Sequence, residues 1–269
     1  MKRVRLSILS IILVFSLTSI VSAQESFLDD KTGDGKVIIN AFGDSITYGV
    51  GDGVPSFEVA DPLPTTDGSQ GYPARIEKYL NTLVDNEGRP GEMFESSGIF
   101  RLPSSLIGTS ADIILFMEGA NDAFFGFQAN DYENLAQKAI NATRALGRTP
   151  VLVTLPVFCC SHQQIPPFTN RYSDVLRKLS GVNNIPVADV QRAWTNRCPN
   201  PSDCDLMNIP EGLHPNTKGY DLIAQTITAT LLGIDVFKPT GPEDLASAIG
   251  VDISEIVVVP DPTSSTVTE

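Results

Sequence analysis

The stretch Val37-Ile38-Ile39-Asn40-Ala41-Phe42-Gly43-Asp44-Ser45-Ile46-Thr47-Tyr48-Gly49 decides the fold. Val37 to Ala41 is short, rich in β-branched residues and bounded by glycine on both sides, the profile of a buried strand. Ser45 then lies just past the strand's C-terminal end, where open parallel sheets place their ligands. A serine at such a crevice, with backbone N–H groups nearby, suits a nucleophile. Taken alone, the segment reads equally as a turn whose Gly and Asp serve the backbone. Matching pieces downstream must decide.

Outward from this strand, apolar runs alternate with helical patterns. Tyr72 to Val84 carries Ile76, Tyr79, Leu80 and Leu83 at helical spacing, and Leu83 to Asn86 reads as a short second strand. Ile99 to Ile107 is helical, Asp112 to Met117 a continuous apolar strand, and Asp131 to Leu146 an amphipathic helix capped by Asn130 or Asp131. Val151 to Val157 is a strand, Thr169 to Leu179 a helix, Pro186 to Val190 a final strand, and Asn216 to Leu232 the closing helix. Such alternation predicts an α/β fold of three α/β/α layers around a mostly parallel sheet of about five strands. Gly49 to Gly71 is a long Gly/Pro/Asp-rich loop directly after the serine, and loops of that length are often functional.

The ends stand outside this plan. Lys2, Arg3 and Arg5 head an apolar stretch from Leu6 to Ile20 that closes on Val21-Ser22-Ala23. That pattern predicts a signal peptide over residues 1–23, cleaved after Ala23, and a protein secreted or periplasmic, with no membrane span. Residues 24–35 form an N-terminal extension. From Lys238 to Glu269 runs an acidic appendage, with a short helix expected at Pro242 to Ile249 and an edge strand at Ile256 to Val259. Its last ten residues read as disordered.

The chain of 269 residues carries a net charge of −13, and loss of Lys2, Arg3 and Arg5 lowers it by three more. A body this acidic lacks the basic patch that phosphate backbones require, which argues against nucleic acid and polyanionic substrates. Four cysteines, Cys159, Cys160, Cys198 and Cys204, fit an oxidising compartment. Adjacent cysteines bridge only with strain, so Cys159 and Cys160 are each expected to pair with Cys198 or Cys204, and a Cys198–Cys204 closure is the alternative. Their spacing matches no common zinc ligand pattern, so no metal is expected.

The chain has two histidines. His214 lies just before the closing helix, with Glu211 three residues earlier to hold its second ring nitrogen. His162 has no carboxylate nearby in sequence and reads as a surface loop residue. A tetrahedral oxyanion needs donors already in place. Asn121, in Glu118-Gly119-Ala120-Asn121-Asp122, emerges from the third strand, and Gly91, in Asn86-Glu87-Gly88-Arg89-Pro90-Gly91-Glu92, follows the second. Singly these are ordinary turn signals. Together they set Ser, Gly, Asn and His at the ends of successive strand units.

Gly43-Asp44-Ser45-Ile46-Thr47, the loop glycine Gly91, Gly119-Ala120-Asn121-Asp122 and Gly212-Leu213-His214-Pro215-Asn216 resemble, in order, the four blocks of the SGNH, or GDSL-type, hydrolases. The likeness spans about Lys36 to Leu232, and no Gly-x-Ser-x-Gly elbow occurs to favour an ordinary α/β-hydrolase. The resemblance implies a flavodoxin-like hydrolase domain over residues 36–237, with Ser45 as nucleophile and His214 as base. It further implies an oxyanion hole of the Ser45 and Gly91 N–H groups with the Asn121 amide, and no cofactor. The family commonly has Asp where Glu211 stands. Asp205 is therefore a second candidate acid, and a Ser–His dyad with a backbone acceptor a third. Gly88 competes with Gly91, which is preferred because it lies five residues after Asn86, as in the family block. The implied reaction is hydrolysis of a small-molecule or glycan ester, lipid-like, aryl or O-acetylated sugar. Phe124, Phe125 and Phe127 either line an acyl pocket or pack the sheet edge. The competing expectation is a non-catalytic exported glycan-binding protein on the same fold.

Overall fold

The computed structural model describes residues 26–54 and 70–263. The expected signal peptide, the middle of the loop after Ser45 and residues 264–269 lie outside them. Five strands form one parallel sheet: β1 (Ile38–Gly43), β2 (Leu83–Gly88), β3 (Ile113–Met117), β4 (Thr149–Val153) and β5 (Val187–Ala188), in the order β2-β1-β3-β4-β5. β1 and β3 are buried along their whole length because helices cover both faces, which is why β3 reads as an unbroken apolar run and β1 as one interrupted only by Asn40.

The helices are α1 (Ser45–Tyr48), α2 (Gly71–Leu80), α3 (Ile99–Gly108), α4 (Ala120–Phe124), α5 (Ala129–Ala145), α6 (Pro166–Asn183), α7 (Val190–Arg197), α8 (Thr217–Leu232) and α9 (Gly241–Ile249). From β1 the chain steps outward to β2 through α2, then crosses back to β3, β4 and β5 through α3, α5 and α6. Right-handed crossovers in opposite directions put α2 on one face and α3, α5 and α6 on the other. α8 packs on α2 and α7, completing the first layer, while α5 packs on α3 and α6 in the second. The reversal leaves a crevice at the C-terminal ends of β1 and β3, the switch point at which such sheets bind ligands. Register fixes that edge: Gly43 lies level with Gly88 of β2 and Met117 of β3.

Several elements differ from expectation. α7 was not foreseen, and it shortens the expected strand Pro186 to Val190 to two residues because the Asp189 side chain accepts from Arg192 N–H and starts the helix. α6 begins at Pro166, whose missing N–H costs nothing in a first turn, rather than at Thr169. β4 ends at Val153, before Pro156. α5 has Gln128, not Asn130 or Asp131, at its N-cap, and its cap makes no side-chain hydrogen bond. The helix expected in the appendage is α9. Ile256 to Val259 is not a strand; Val257 N–H donates to the side chain of Gln225 on α8 at 2.7 Å. Within the tail expected to be disordered, Asp261 is held by Arg192 at 2.7 Å.

The disulfides also correct the expectation. Cys159 pairs with Cys160, and Cys198 with Cys204. The second bridge is the short closure named as the alternative. In the first, Cys160 takes a left-handed backbone, φ +59°, and the turn faces the segment Pro210–Gly212 rather than the Cys198–Cys204 loop.

Candidate active site

β1 ends at Gly43, and Asp44 caps the single turn of α1, its Oδ1 accepting from Ile46 N–H at 2.9 Å. The Ser45 N–H points from that turn with no hydrogen-bond partner among the described residues. Ser45 Oγ lies 2.9 Å from His214 Nε2. His214 Nδ1 lies 2.6 Å from Glu211 Oε1, and Glu211 Oε2 accepts from His214 N–H at 3.2 Å. A carboxylate on Nδ1 makes that nitrogen the donor and leaves Nε2 to accept from the serine. Three side chains remote or adjacent in sequence thus stand in one hydrogen-bonded line.

Asn208, missed in the sequence, holds the His214 segment against the serine's. Its Nδ2 lies 3.1 Å from Gly51 O, 3.2 Å from His214 O and 3.0 Å from Pro215 O. No local signal marks it, because the acceptor that ties it to the serine's loop, Gly51 O, lies more than 150 positions away. Asp52 closes the same junction: it accepts from Gly71 N–H, Arg75 and Thr217, tying the start of the long loop to α2 and α8.

The two competing glycines separate clearly. Gly88 N–H donates to Asn86 Oδ1 at 2.9 Å, and a Cβ there would come within 2.6 Å of Tyr48 Cα. Gly88 therefore permits β2 to pack on α1. Gly91 has φ +78°, open space where a Cβ would stand, and an N–H without a partner among the described residues. Asn121 donates to Glu92 O at 2.8 Å, which orients its amide and leaves its second N–H. The loop that carries Gly91 is clamped on both sides. Asp122 accepts from Phe94 and Glu95 N–H at 2.8 Å each, and the Glu92 carboxylate pairs with Arg101, whose guanidinium lies 3.9 Å over the Phe42 ring.

The family model for GDSL-like lipases and acylhydrolases matches residues 41–222. The chain belongs to that family. Solved structures that it resembles include a lipase/acylhydrolase from Enterococcus faecalis, 23% identical over 73% of this chain and 96% of that one, TM-score 0.57. A lipolytic protein of the G-D-S-L family from Desulfitobacterium hafniense is 15% identical over 73% and 100%, TM-score 0.59. An acetylxylan esterase from Geobacillus stearothermophilus is 19% identical over 75% and 96%, TM-score 0.58. At these identities the structures establish a shared fold. No curated protein matches the chain significantly. As a member of the GDSL family the chain is a hydrolase on the SGNH α/β fold.

Several acids are buried around the serine of this GDSL site, among them Asp44, Glu118 and Asp122. Burial drives the Asp44 carboxyl up to about 7, aided by Asp122 and Glu92 and opposed by the Ile46 N–H and His214. Burial and the charges of Asp44 and Glu92 hold Glu118 well above the ordinary range. Burial raises Asp122 as well, against its bonds to Glu95 and Phe94 N–H. Glu211 goes the other way: burial pushes it up, but its bond to His214 and the charges of His214 and His162 bring it below the usual range.

The remaining candidates fall into place. Asp205 pairs with Arg197 at 2.9 Å and Lys218 at 3.1 Å, so it is committed elsewhere. His162 is not a free surface residue: its Nδ1 lies 2.8 Å from Glu211 O. Phe127 packs against the core, whereas Phe124 and Phe125 are 46% and 69% exposed, their rings edge to face at 5.2 Å. They stand on and just beyond the short helix that carries Asn121, and Phe124 also meets the His162 ring at 6.1 Å. Among the described residues no group of three or more His, Cys, Asp or Glu side chains forms a metal site, and no helix is long and apolar enough to cross a membrane.

Proposed function

We propose that this GDSL hydrolase is an exported serine esterase that cleaves carboxylic esters through an acyl-enzyme on Ser45. The observation that carries this reading is the line Ser45 Oγ–His214 Nε2–Glu211, with contacts of 2.9 and 2.6 Å. His214 takes the proton as Ser45 attacks the ester carbonyl, and Glu211 stabilises the imidazolium that forms. The Ser45 and Gly91 N–H groups and the Asn121 amide receive the oxyanion. His214 then returns its proton to the leaving alcohol, and water, deprotonated by the same ring, releases the acid.

The exposed rings of Phe124 and Phe125 support a substrate with an apolar or ring-shaped face beside the ester, an aryl or lipid-like chain or an O-acetylated sugar. The acetylxylan esterase fold neighbour keeps the sugar ester among these. Export, with cleavage after Ala23, rests on the basic and apolar N-terminal pattern, and the two disulfides are compatible with it. The hydrolase domain is assigned to 36–237 and the acidic appendage to 238–269.

Hydrolysis of p-nitrophenyl acetate, butyrate and octanoate and of an acetylated xylooligosaccharide, with Ser45→Ala beside the wild type, tests the reading. The variant is expected to lose turnover by a factor on the order of 10⁶. Comparable hydrolysis by the two proteins would overturn the assignment. No turnover and no labelling of Ser45 by a fluorophosphonate would favour a glycan-binding protein instead.

A further inference from the structure

The chain's second histidine is engaged by the segment that carries the acid of the first. Three successive carbonyls, of Pro210, Glu211 and Gly212, each receive a donor from the four-residue turn Cys159–His162. Cys159 N–H donates to Gly212 O at 3.0 Å, and Ser161 donates to Pro210 O through its N–H at 3.3 Å and its Oγ at 2.9 Å. His162 Nδ1–H donates to Glu211 O at 2.8 Å. The two segments touch without a side chain between them: a Cβ at Gly212 would strike the Cys159 carbonyl and lie 2.9 Å from its Sγ. On its far side the acid's segment is held by Asn208, whose carbonyl accepts from Gly212 N–H at 2.8 Å.

We propose that the Cys159–His162 turn is a brace for the triad, that His162 is the positioning residue keeping Glu211 in line with His214, and that the Cys159–Cys160 disulfide makes the brace breakable by a dithiol. The proposal rests on the reading of Glu211 as the catalytic acid. The bridge joins neighbours and so closes a ring through their own peptide bond, which fixes the turn. It holds Cys160 at φ +59°, a conformation that non-glycine residues rarely keep unaided. In the opening step a thiolate of the dithiol attacks one sulfur of the bridge, forming a mixed disulfide and releasing the other cysteine as a thiol. The dithiol's second sulfur then displaces the remaining cysteine. Two electrons and two protons pass to Cys159 and Cys160, and the dithiol leaves as its own disulfide. Freed, Cys160 can leave the left-handed region, and Ser161 and His162 move with it, withdrawing the donors from the Pro210 and Glu211 carbonyls.

Two readouts test this, only one of which needs catalysis. The first is p-nitrophenyl acetate turnover by the mature chain before and after dithiothreitol, with reduction of Cys159 and Cys160 verified by alkylation and mass. Reduction is expected to lower kcat by roughly 10- to 100-fold with little change in KM, the effect of a misplaced catalytic group. Sensitivity should persist in Cys198→Ser/Cys204→Ser and vanish in Cys159→Ser/Cys160→Ser, which should start low. His162→Leu should lose kcat to a similar extent, and His162→Asn, which keeps a donor, should recover most of it. The second readout is amide hydrogen exchange, expected to speed up across Asn208–His214 on reduction while the sheet stays protected. Unchanged kcat with both thiols alkylated, His162→Leu as active as the wild type, or thiols already free in the purified protein would each overturn the brace. Absence of turnover even in the oxidised wild type would instead count against the esterase, and hydrogen exchange would still decide the brace.

Discussion

Glu211 carries one methylene more than the aspartate its family commonly places three residues before the histidine, and the structure accommodates it. Both oxygens are used, one on Nδ1 and one on the His214 N–H, so the longer chain costs no reach. Asp205, the other acid in the neighbourhood, is neutralised by Arg197 and Lys218 on the surface. Glu211→Gln is therefore expected to lower kcat substantially, by roughly 10⁴-fold at most, because the amide no longer stabilises the imidazolium. Asp205→Asn should stay within about twofold, as surface pairs contribute little. Steady-state kinetics of the two variants on p-nitrophenyl acetate decide between the acids; the reverse ranking would return the role to Asp205. The placement of Ser45, His214 and Asn121 was legible because each sits at a strand end or helix start that periodicity already marks. His162 and Asn208 were not, since their partners are set by how loops meet in space.

At the level of elements, the chain from β2 to α3 separates a glycine packed against backbone, Gly88, from one that faces open space, Gly91. Alanine at Gly91 keeps the N–H and meets open space, so its cost is backbone strain of about 1–2 kcal/mol at φ +78°. Alanine at Gly88 meets the backbone of α1, which cannot swing aside as a side-chain end would. Its cost is expected at or beyond the upper end of the roughly 1–3 kcal/mol typical of overpacking. Urea denaturation should rank Gly88→Ala well below Gly91→Ala, with esterase activity per folded molecule largely kept in the latter; equal losses would contradict the assignment. Spacing from Asn86 favours Gly91, but the reason for Gly88 lies in the β1–β2 register, which no sequence window contains. The same limit explains α7. Its buried Val190, Ala193 and Trp194 do stand at i, i+3 and i+4, but Val190 also ends an apolar run that reads as strand, and what stabilises the helix is packing on α8. β1 and β3 were plain because burial on both faces writes itself as an apolar run, continuous in β3 and broken only by Asn40 in β1.

For the whole molecule, the acids pull stability in two directions with pH. Asp44, Glu118 and Asp122 have folded values raised above those of the unfolded chain. Their contribution is complete below the ordinary carboxyl range near about pH 4 and is lost as pH rises, for Asp44 through about 7. Glu211 and Asp52 are lowered, by His214 and by Arg75 with Gly71 against the effect of burial, so their contribution is present above that range and lost below it. The two sets are satisfied together only in mildly acid solution, so the Tm should peak at about pH 4–6 and fall towards pH 8. Net charge of −13 gives a second reason for a fall at high pH, self-repulsion over the surface. Salt separates the causes, because about 0.5 M NaCl screens exposed charges and leaves a buried carboxyl almost untouched. Asp44→Asn separates them again: its Oδ1 still accepts from Ile46 N–H, but it has no proton to lose. Calorimetric scans from about pH 4 to 8 should show a slope that survives salt in the wild type and flattens in Asp44→Asn. A slope erased by salt would locate the pH dependence on the acidic surface rather than beneath the serine, and one that survives both salt and the substitution would assign it to Glu118 and Asp122 instead of Asp44.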